Sequence, residues 1–102
     1  MIQEWKTVTH LLTQEQMDGK CRLFARVAIQ PGHMLPSHRH EGETETYYIL
    51  SGHGLYDDDG QLRPANPGDV FFCADGHSHG ISCTGDEPVE FVALIINGNK
   101  AE

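Results

Sequence analysis

From Cys21 to Gln30 apolar and polar residues alternate, with Leu23, Ala25, Val27 and Ile29 at odd positions and Arg22, Arg26 and Gln30 at even ones. A period of two is that of a strand with one face in a core and the other in water. Pro31-Gly32 ends the strand, a second extended piece runs to His40, and Glu41-Gly42-Glu43 turns the chain. Glu45 to Ser51 is rich in aromatic and β-branched residues and predicts another strand. Gly52 and Gly54 permit a bend, Asp57 to Gly60 reads as a hairpin turn, and Asn66-Pro67-Gly68 as a further turn. Strands follow over Asp69–Ala74 and His79–Thr84, with a turn at Asp75-Gly76 between them. After a turn at Gly85 to Pro88, Val89–Ile96 is the most apolar segment and is expected to be a central strand. The first 20 residues are the least regular, a lead-in in which Thr13 caps a short turn of helix that Gly19 stops. About eight to ten short strands with frequent turns predict one all-β sandwich or barrel domain over residues 1–102, with the barrel at 21–96.

Composition sharpens this picture. The chain has 11 Gly, 5 Pro and only 38% hydrophobic residues, which suits short strands and tight turns. A net charge of −8 repels phosphate backbones and anionic lipid, so neither nucleic acid nor a membrane surface is expected as a partner. No stretch approaches the roughly 20 apolar residues of a membrane helix. Met1 to Lys6 lacks the basic region and apolar run of a signal peptide, so a cytoplasmic location is expected. The three cysteines are an odd number with no zinc-knuckle spacing and read as buried thiols. Seven histidines in 102 residues remain to be explained.

The histidines gather where strands are expected. His38 and His40 are two apart, so in a strand both side chains point to one side and can approach one metal ion. Glu45 lies five residues further on, beyond a glycine-containing turn, and can return from the adjacent strand as a third ligand. His79 stands at the start of a later strand, directly after a tight turn. Neutral imidazoles with a carboxylate suit a divalent manganese, iron, nickel, copper or zinc ion.

These residues fall on two spaced motifs. Gly32, His38, His40, Glu45 and Gly52 occupy every fixed position of G-x5-H-x-H-x4-E-x6-G. Gly68, Gly76 and His79 match G-x5-P-x-G-x2-H-x3-N, with Ala74 in place of the proline and Cys83 in place of the asparagine. The sequence resembles the cupin superfamily, and the motifs with their spacer span about half the chain. The resemblance implies a double-stranded β-helix (jelly-roll) barrel, often dimeric. It also implies one divalent metal near the mouth, held by His38, His40, Glu45 and His79. Ala74 loosens a turn. Cys83 leaves the ligand set intact but puts in doubt any function that relies on the asparagine amide.

A divalent ion with three neutral imidazoles and one carboxylate carries a net local charge of +1. With octahedral coordination it keeps positions for a small oxygen ligand such as a dicarboxylate, keto-acid or enediol. The expected function is a metal-dependent enzyme acting on a small oxygenated molecule, as a dioxygenase, isomerase or decarboxylase/lyase. The alternative is a non-catalytic binding or sensing module for a sugar or organic anion. Tyr47, Ile49, Phe71, Cys73, Ile81, Cys83, Phe91, Ala93 and Ile95 share strand parity and form either core or an apolar pocket wall. Tyr47 is then the polar wall residue and the candidate catalytic group, with Ile49, Phe71 and Ile81 turned toward the same interior. His77 stays open between exposed loop, supporting residue and ligand, while His10, His33 and His53 read as surface. Arg26 and Arg39 read as solvated or as partners of an anionic ligand, and Asp57 to Asp59 as a solvated turn. Phe24, Ala28, Val92, Leu94 and Ile96 form apolar stripes on outward faces and predict a homodimer.

Overall fold

The computed structural model describes residues 4–98; residues 1–3 and 99–102, the ends of the expected domain and the start of the segment read as lacking a signal, lie outside the described residues. The alternating segments become strands: β1 (Lys6–His10), β2 (Cys21–Ile29), β3 (Met34–Arg39), β4 (Glu43–Ser51), β5 (Gly54–Asp58), β6 (Gln61–Ala65), β7 (Val70–Cys73), β8 (Ser78–Cys83) and β9 (Val89–Asn97). They form two antiparallel sheets, ordered β1-β2-β9-β4-β7 and β3-β8-β5-β6. This is the all-β double-stranded β-helix expected from the sequence, with β9 central between β2 and β4. No helix among the described residues is long and apolar enough to cross a membrane.

The lead-in departs from expectation. It contains β1, which pairs antiparallel with β2 from Lys6↔Ile29 to His10↔Ala25. As an edge strand β1 is mostly exposed, so it needs no apolar stripe and leaves little periodic signal. The helical turn is α1 (Gln14–Met17), closed by a reciprocal capping box between Thr13 and Gln16. It ends where Asp18 and Gly19 take positive φ.

The inward residues of both sheets make one core. Val27, Ile29, Tyr47, Ile49, Tyr56, Ile81, Val89 and Phe91 pack together at its centre. The odd-numbered positions of β2, β4 and β9 face inward, as the period of two requires. The β5–β6 hairpin turns on Asp59 and Gly60, both at positive φ (54° and 95°), the type I′ geometry that suits right-twisted strands.

Two motif glycines play different parts. Gly52 leaves β4 at φ +80°, and a Cβ there would lie 2.2 Å from the Pro88 carbonyl oxygen. Gly68 sits at φ +92° with nothing within 4 Å of such a Cβ. Gly68→Ala is therefore expected to cost only its backbone strain, about 1–2 kcal/mol. Gly52→Ala adds a backbone clash and is expected to cost more than about 3 kcal/mol. Urea unfolding of both variants checks this, and equal losses would refute the steric distinction.

Candidate metal centre

Four elements deliver the site. His38 is near the end of β3 and pairs with His79 at the start of β8. His40 follows β3 in the crossover, and Glu45 lies on β4 in the opposite sheet. The expectation that Glu45 returns on the adjacent strand is thus corrected. β3 and β4 do not pair; the chain crosses between sheets, so the carboxylate faces the imidazoles across the interior. The crossover is tied to the turn before β8: His40 N donates to His77 O at 3.0 Å, Gly76 N to His40 O at 2.7 Å, and Gly42 N to Asp75 Oδ1 at 2.8 Å. These bonds lock the two sequence motifs to each other. Ala74 still closes its turn, accepting from His77 N at 3.1 Å. The β3 register shifts between Leu35 and His38, where the strand passes so close to Gly80 that a Cβ there would lie 2.7 Å from Leu35 O.

One ligand atom from each of the four residues falls within 4.8 Å of every other. Glu45 Oε1 is 2.8 Å from both His40 Nε2 and His79 Nε2, those nitrogens are 3.0 Å apart, and His38 Nε2 is 3.8 Å from Oε1. Ligands bound at roughly 2.1 Å and at right angles on one ion stand about 3 Å apart, so the spacings among His40, Glu45 and His79 fit a single first-row cation, with His38 standing slightly further out. His40, Glu45 and His79 are buried and His38 is partly exposed.

The far side of each ring strengthens the fit. His38 Nδ1 donates to Pro36 O at 2.9 Å and His40 Nδ1 to Glu43 Oε2 at 2.5 Å, and His79 Nδ1 is hydrogen-bonded to the Tyr56 hydroxyl at 2.8 Å. With every Nδ1 engaged, each Nε2 faces the common centre, where it can offer its lone pair to a metal or, without one, an N–H to Glu45. Arg22 grips the Glu43 carboxylate through two bonds of 2.7 and 2.8 Å. Tyr56, Glu43 and Arg22 are the supporting residues that sequence reasoning missed. They lie 23, 3 and 18 positions from the ligands they serve, on other strands or turns, and only the inward parity of Tyr56 on β5 hints at its place.

Electrostatics follow from this packing. Burial opposes the charge on Glu45, but the interactions with His38 and His79 outweigh it and hold the carboxyl to about 2. The same carboxylate raises His38 above its ordinary value, against desolvation and the charge of Lys6. Arg22 first, and His40 after it, hold Glu43 to about 2. Burial raises the Tyr47 and Tyr56 hydroxyls and pushes the Cys73 thiol up to about 11.

A cavity of about 450 Å³ opens beside the cluster and is lined by His38, His40, Glu45 and Tyr47, with Lys6 and Arg22 also bordering it. Its apolar wall includes Val27 of β2, Phe91 and Ala93 of β9, and Leu35 of β3. The expected lining by Ile49, Phe71 and Ile81 is corrected. Tyr47 lies 4.3 Å from Phe91 and 4.8 Å from His79 between ring centroids, and this packed layer closes the interior. Ile49 and Ile81 are buried in the core, and Phe71 stacks on Tyr56. His77 is an exposed loop residue whose Nδ1 faces Asp59 and whose carbonyl supports His40. His10, His33 and His53 are exposed. Arg26 pairs with Glu90 and Arg39 with Glu41 on the surface. Cys73 and Cys83 are buried free thiols, and Cys83, at the asparagine position, donates to Glu87 O.

A jelly roll with a three-histidine, one-glutamate cluster between its sheets defines a class of small β-barrels with a candidate metal site. The chain belongs to the cupin family, whose cupin domain matches residues 25–95. It is 48% identical over 89 residues to the oxalate-binding protein of Thermotoga maritima, covering 87% of this chain and 74% of that one. A crystal structure from Thermotoga maritima described as a predicted oxalate decarboxylase superposes with a TM-score of 0.88 at 47% identity, over 90% of this chain and 80% of that one. TT1209 from Thermus thermophilus shares the fold alone, with a TM-score of 0.82 at 20% identity over 96% of this chain and 89% of that one.

Two outcomes are expected. Tyr56→Phe removes the hydrogen-bond partner of His79 Nδ1 and should weaken metal affinity by about 10- to 100-fold, read by competition with a chromogenic chelator; unchanged affinity would show that Tyr56 does not orient His79. The second concerns pH. In the metal-free protein, Glu45 contributes stability that is present above 4.5 and lost as pH falls toward about 2. His38 contributes stability that is present below 6.5 and lost as pH rises through its raised value. Metal stabilisation runs the other way, because bound imidazole must be neutral. The Tm difference between metal-loaded and chelator-treated protein should therefore shrink between about pH 7.5 and about pH 5, measured by scanning calorimetry. A constant difference would count against imidazole ligation.

Proposed function

We propose that this cupin holds one divalent first-row transition metal through His38, His40, Glu45 and His79, and binds a small anionic oxygen ligand, a dicarboxylate or keto-acid, in the adjoining cavity. The observation that carries the reading is the convergence of three Nε2 atoms on Glu45 with every Nδ1 tied back. The likeness to a protein named for binding oxalate supports the ligand class. A divalent ion bound there supplies Lewis acidity toward carboxylate oxygens and a net charge of +1 at the cavity. The chain's own residues orient the ligand against the apolar wall of β2, β3 and β9 and exclude water from it.

Binding is the first reading. Among the described lining residues the one carboxylate, Glu45, is already in the ligand set. The Tyr47 hydroxyl, raised by burial, is a hydrogen-bond donor and no base near neutral pH. The second reading is an enzyme in which Tyr47 is the catalytic proton donor. It rests on the place of Tyr47 in the cavity lining and on the relative described as a predicted oxalate decarboxylase.

The protein is further proposed to be a homodimer. Phe24, Leu94, Thr46 and Phe72 form one row across the outer face of the larger sheet, and Val92, Tyr48 and Val70 extend a second. Phe72 and Val70 are 59% and 61% exposed, more than a lone small domain usually leaves in a contiguous patch.

Elemental analysis of protein purified without chelator should give close to one metal per chain, reduced at least about tenfold by His40→Ala or Glu45→Ala. Calorimetric titration of that sample should register oxalate and a 2-keto acid but not glucose, and light scattering should give twice the chain mass. Full metal occupancy in both variants would overturn the ligand set. Glucose binding without acid binding would overturn the ligand class, and a monomer mass would overturn the assembly. Release of carbon dioxide from oxalate, lost in Tyr47→Phe, would move the enzyme reading ahead.

A further inference from the structure

We infer that Lys6 is a second anchor for the ligand of the metal-side cavity and makes that cavity selective for dianions. The inference rests on the anion-binding reading above.

Lys6 begins β1 and pairs with Ile29 of β2. Residues directly opposite in an antiparallel pair share a sheet face, and Ile29 is fully buried inside. Lys6 therefore projects from the inner face, and it borders the same cavity as His38 and Glu45. Its charge is unusual among the described residues. Lys20, Arg22, Arg26, Arg39 and Arg63 each pair with a carboxylate, whereas Lys6 has no carboxylate partner among the described residues. In a chain with 15 acidic residues, a partly buried inward lysine without a carboxylate partner at the edge of a cavity is free to meet an anion there. Its recorded aromatic neighbour is the Trp5 ring, 5.9 Å from Nζ, which does not neutralise the charge.

The charges in the cavity make the match specific. Arg22 and Glu43 cancel each other through their two-bond pair. The neutral imidazoles with Glu45 leave +1 on a divalent ion, and Lys6 raises the total to +2. A small dianion with two carboxylates is neutralised by that pair of charges, and a monoanion of the same size leaves Lys6 unmet. An inward charge on an edge strand also guards against strand-to-strand aggregation. That role alone would give Lys6 no part in ligand choice.

Calorimetry on metal-loaded wild type, Lys6→Met and Lys6→Arg separates the two roles. The probes are oxalate and oxamate, which match in size and differ by one carboxylate. Lys6→Met should weaken oxalate about tenfold, leave oxamate within about twofold, and keep the wild-type metal content. Lys6→Arg should retain oxalate within about threefold, since the charge is kept. Unchanged oxalate affinity in Lys6→Met, or an equal loss for both anions, would overturn the role of Lys6 while leaving anion binding standing. A wild type that binds neither anion would overturn the anion-binding reading, and the inference with it.

Discussion

Glu45 brings a carboxylate to a place only 4% exposed between two β-sheets. Left alone there, an ionised group would cost several kcal/mol of desolvation. The barrel meets this cost by surrounding Oε1 with the Nε2 atoms of His40 and His79 at 2.8 Å and His38 at 3.8 Å. Three imidazoles so close to one carboxylate would crowd protons against each other if all were charged. A divalent cation would replace those protons with one centre and relieve the crowding, which is why the arrangement reads as a candidate metal site.

The support around that centre reaches well beyond the ligands. Each imidazole is oriented by a different kind of partner: a backbone carbonyl at Pro36, a carboxylate at Glu43 and a phenol at Tyr56. Glu43 is in turn held by Arg22 from β2, two strands away in the same sheet, so one ring orientation depends on an ion pair with 56% exposure on its arginine side. The two motif turns are hydrogen-bonded to each other, so the His40 crossover and the entry to β8 are held in register as one unit. Glycine is needed where backbones nearly touch, at Gly80 beneath β3 and at Gly52 against Pro88. Local sequence choices and the global fold therefore agree at the site.

Much of this was legible before any coordinates. The alternation of β2, β4 and β9 located the inward faces, and the motif spacing of His38, His40, Glu45 and His79 located the candidate ligands, all four of which meet. The illegible parts share a cause. β1 is a short edge strand with a mostly exposed sequence, so it lacks a periodic stripe. Tyr56 reaches His79 because β5 pairs with β8, a contact between residues with no motif in common.

The sequence by itself determined the strand faces and the turns, because a period of two and the needs of positive φ act over a few neighbouring residues, and its two spaced motifs pointed to the four candidate ligands. Only the tertiary structure decided where the interior stays open. Ile49, Phe71 and Ile81 share the inward parity of Tyr47, yet they pack in the core and not along the cavity, because the Tyr47, Phe91 and His79 rings close the space between the sheets. It likewise decided that Glu45 faces the histidines from the opposite sheet, and that Lys6 stands at the cavity. Parity says which side of a sheet a residue occupies. How two sheets diverge, and which distant side chains fill the gap, depends on every strand at once.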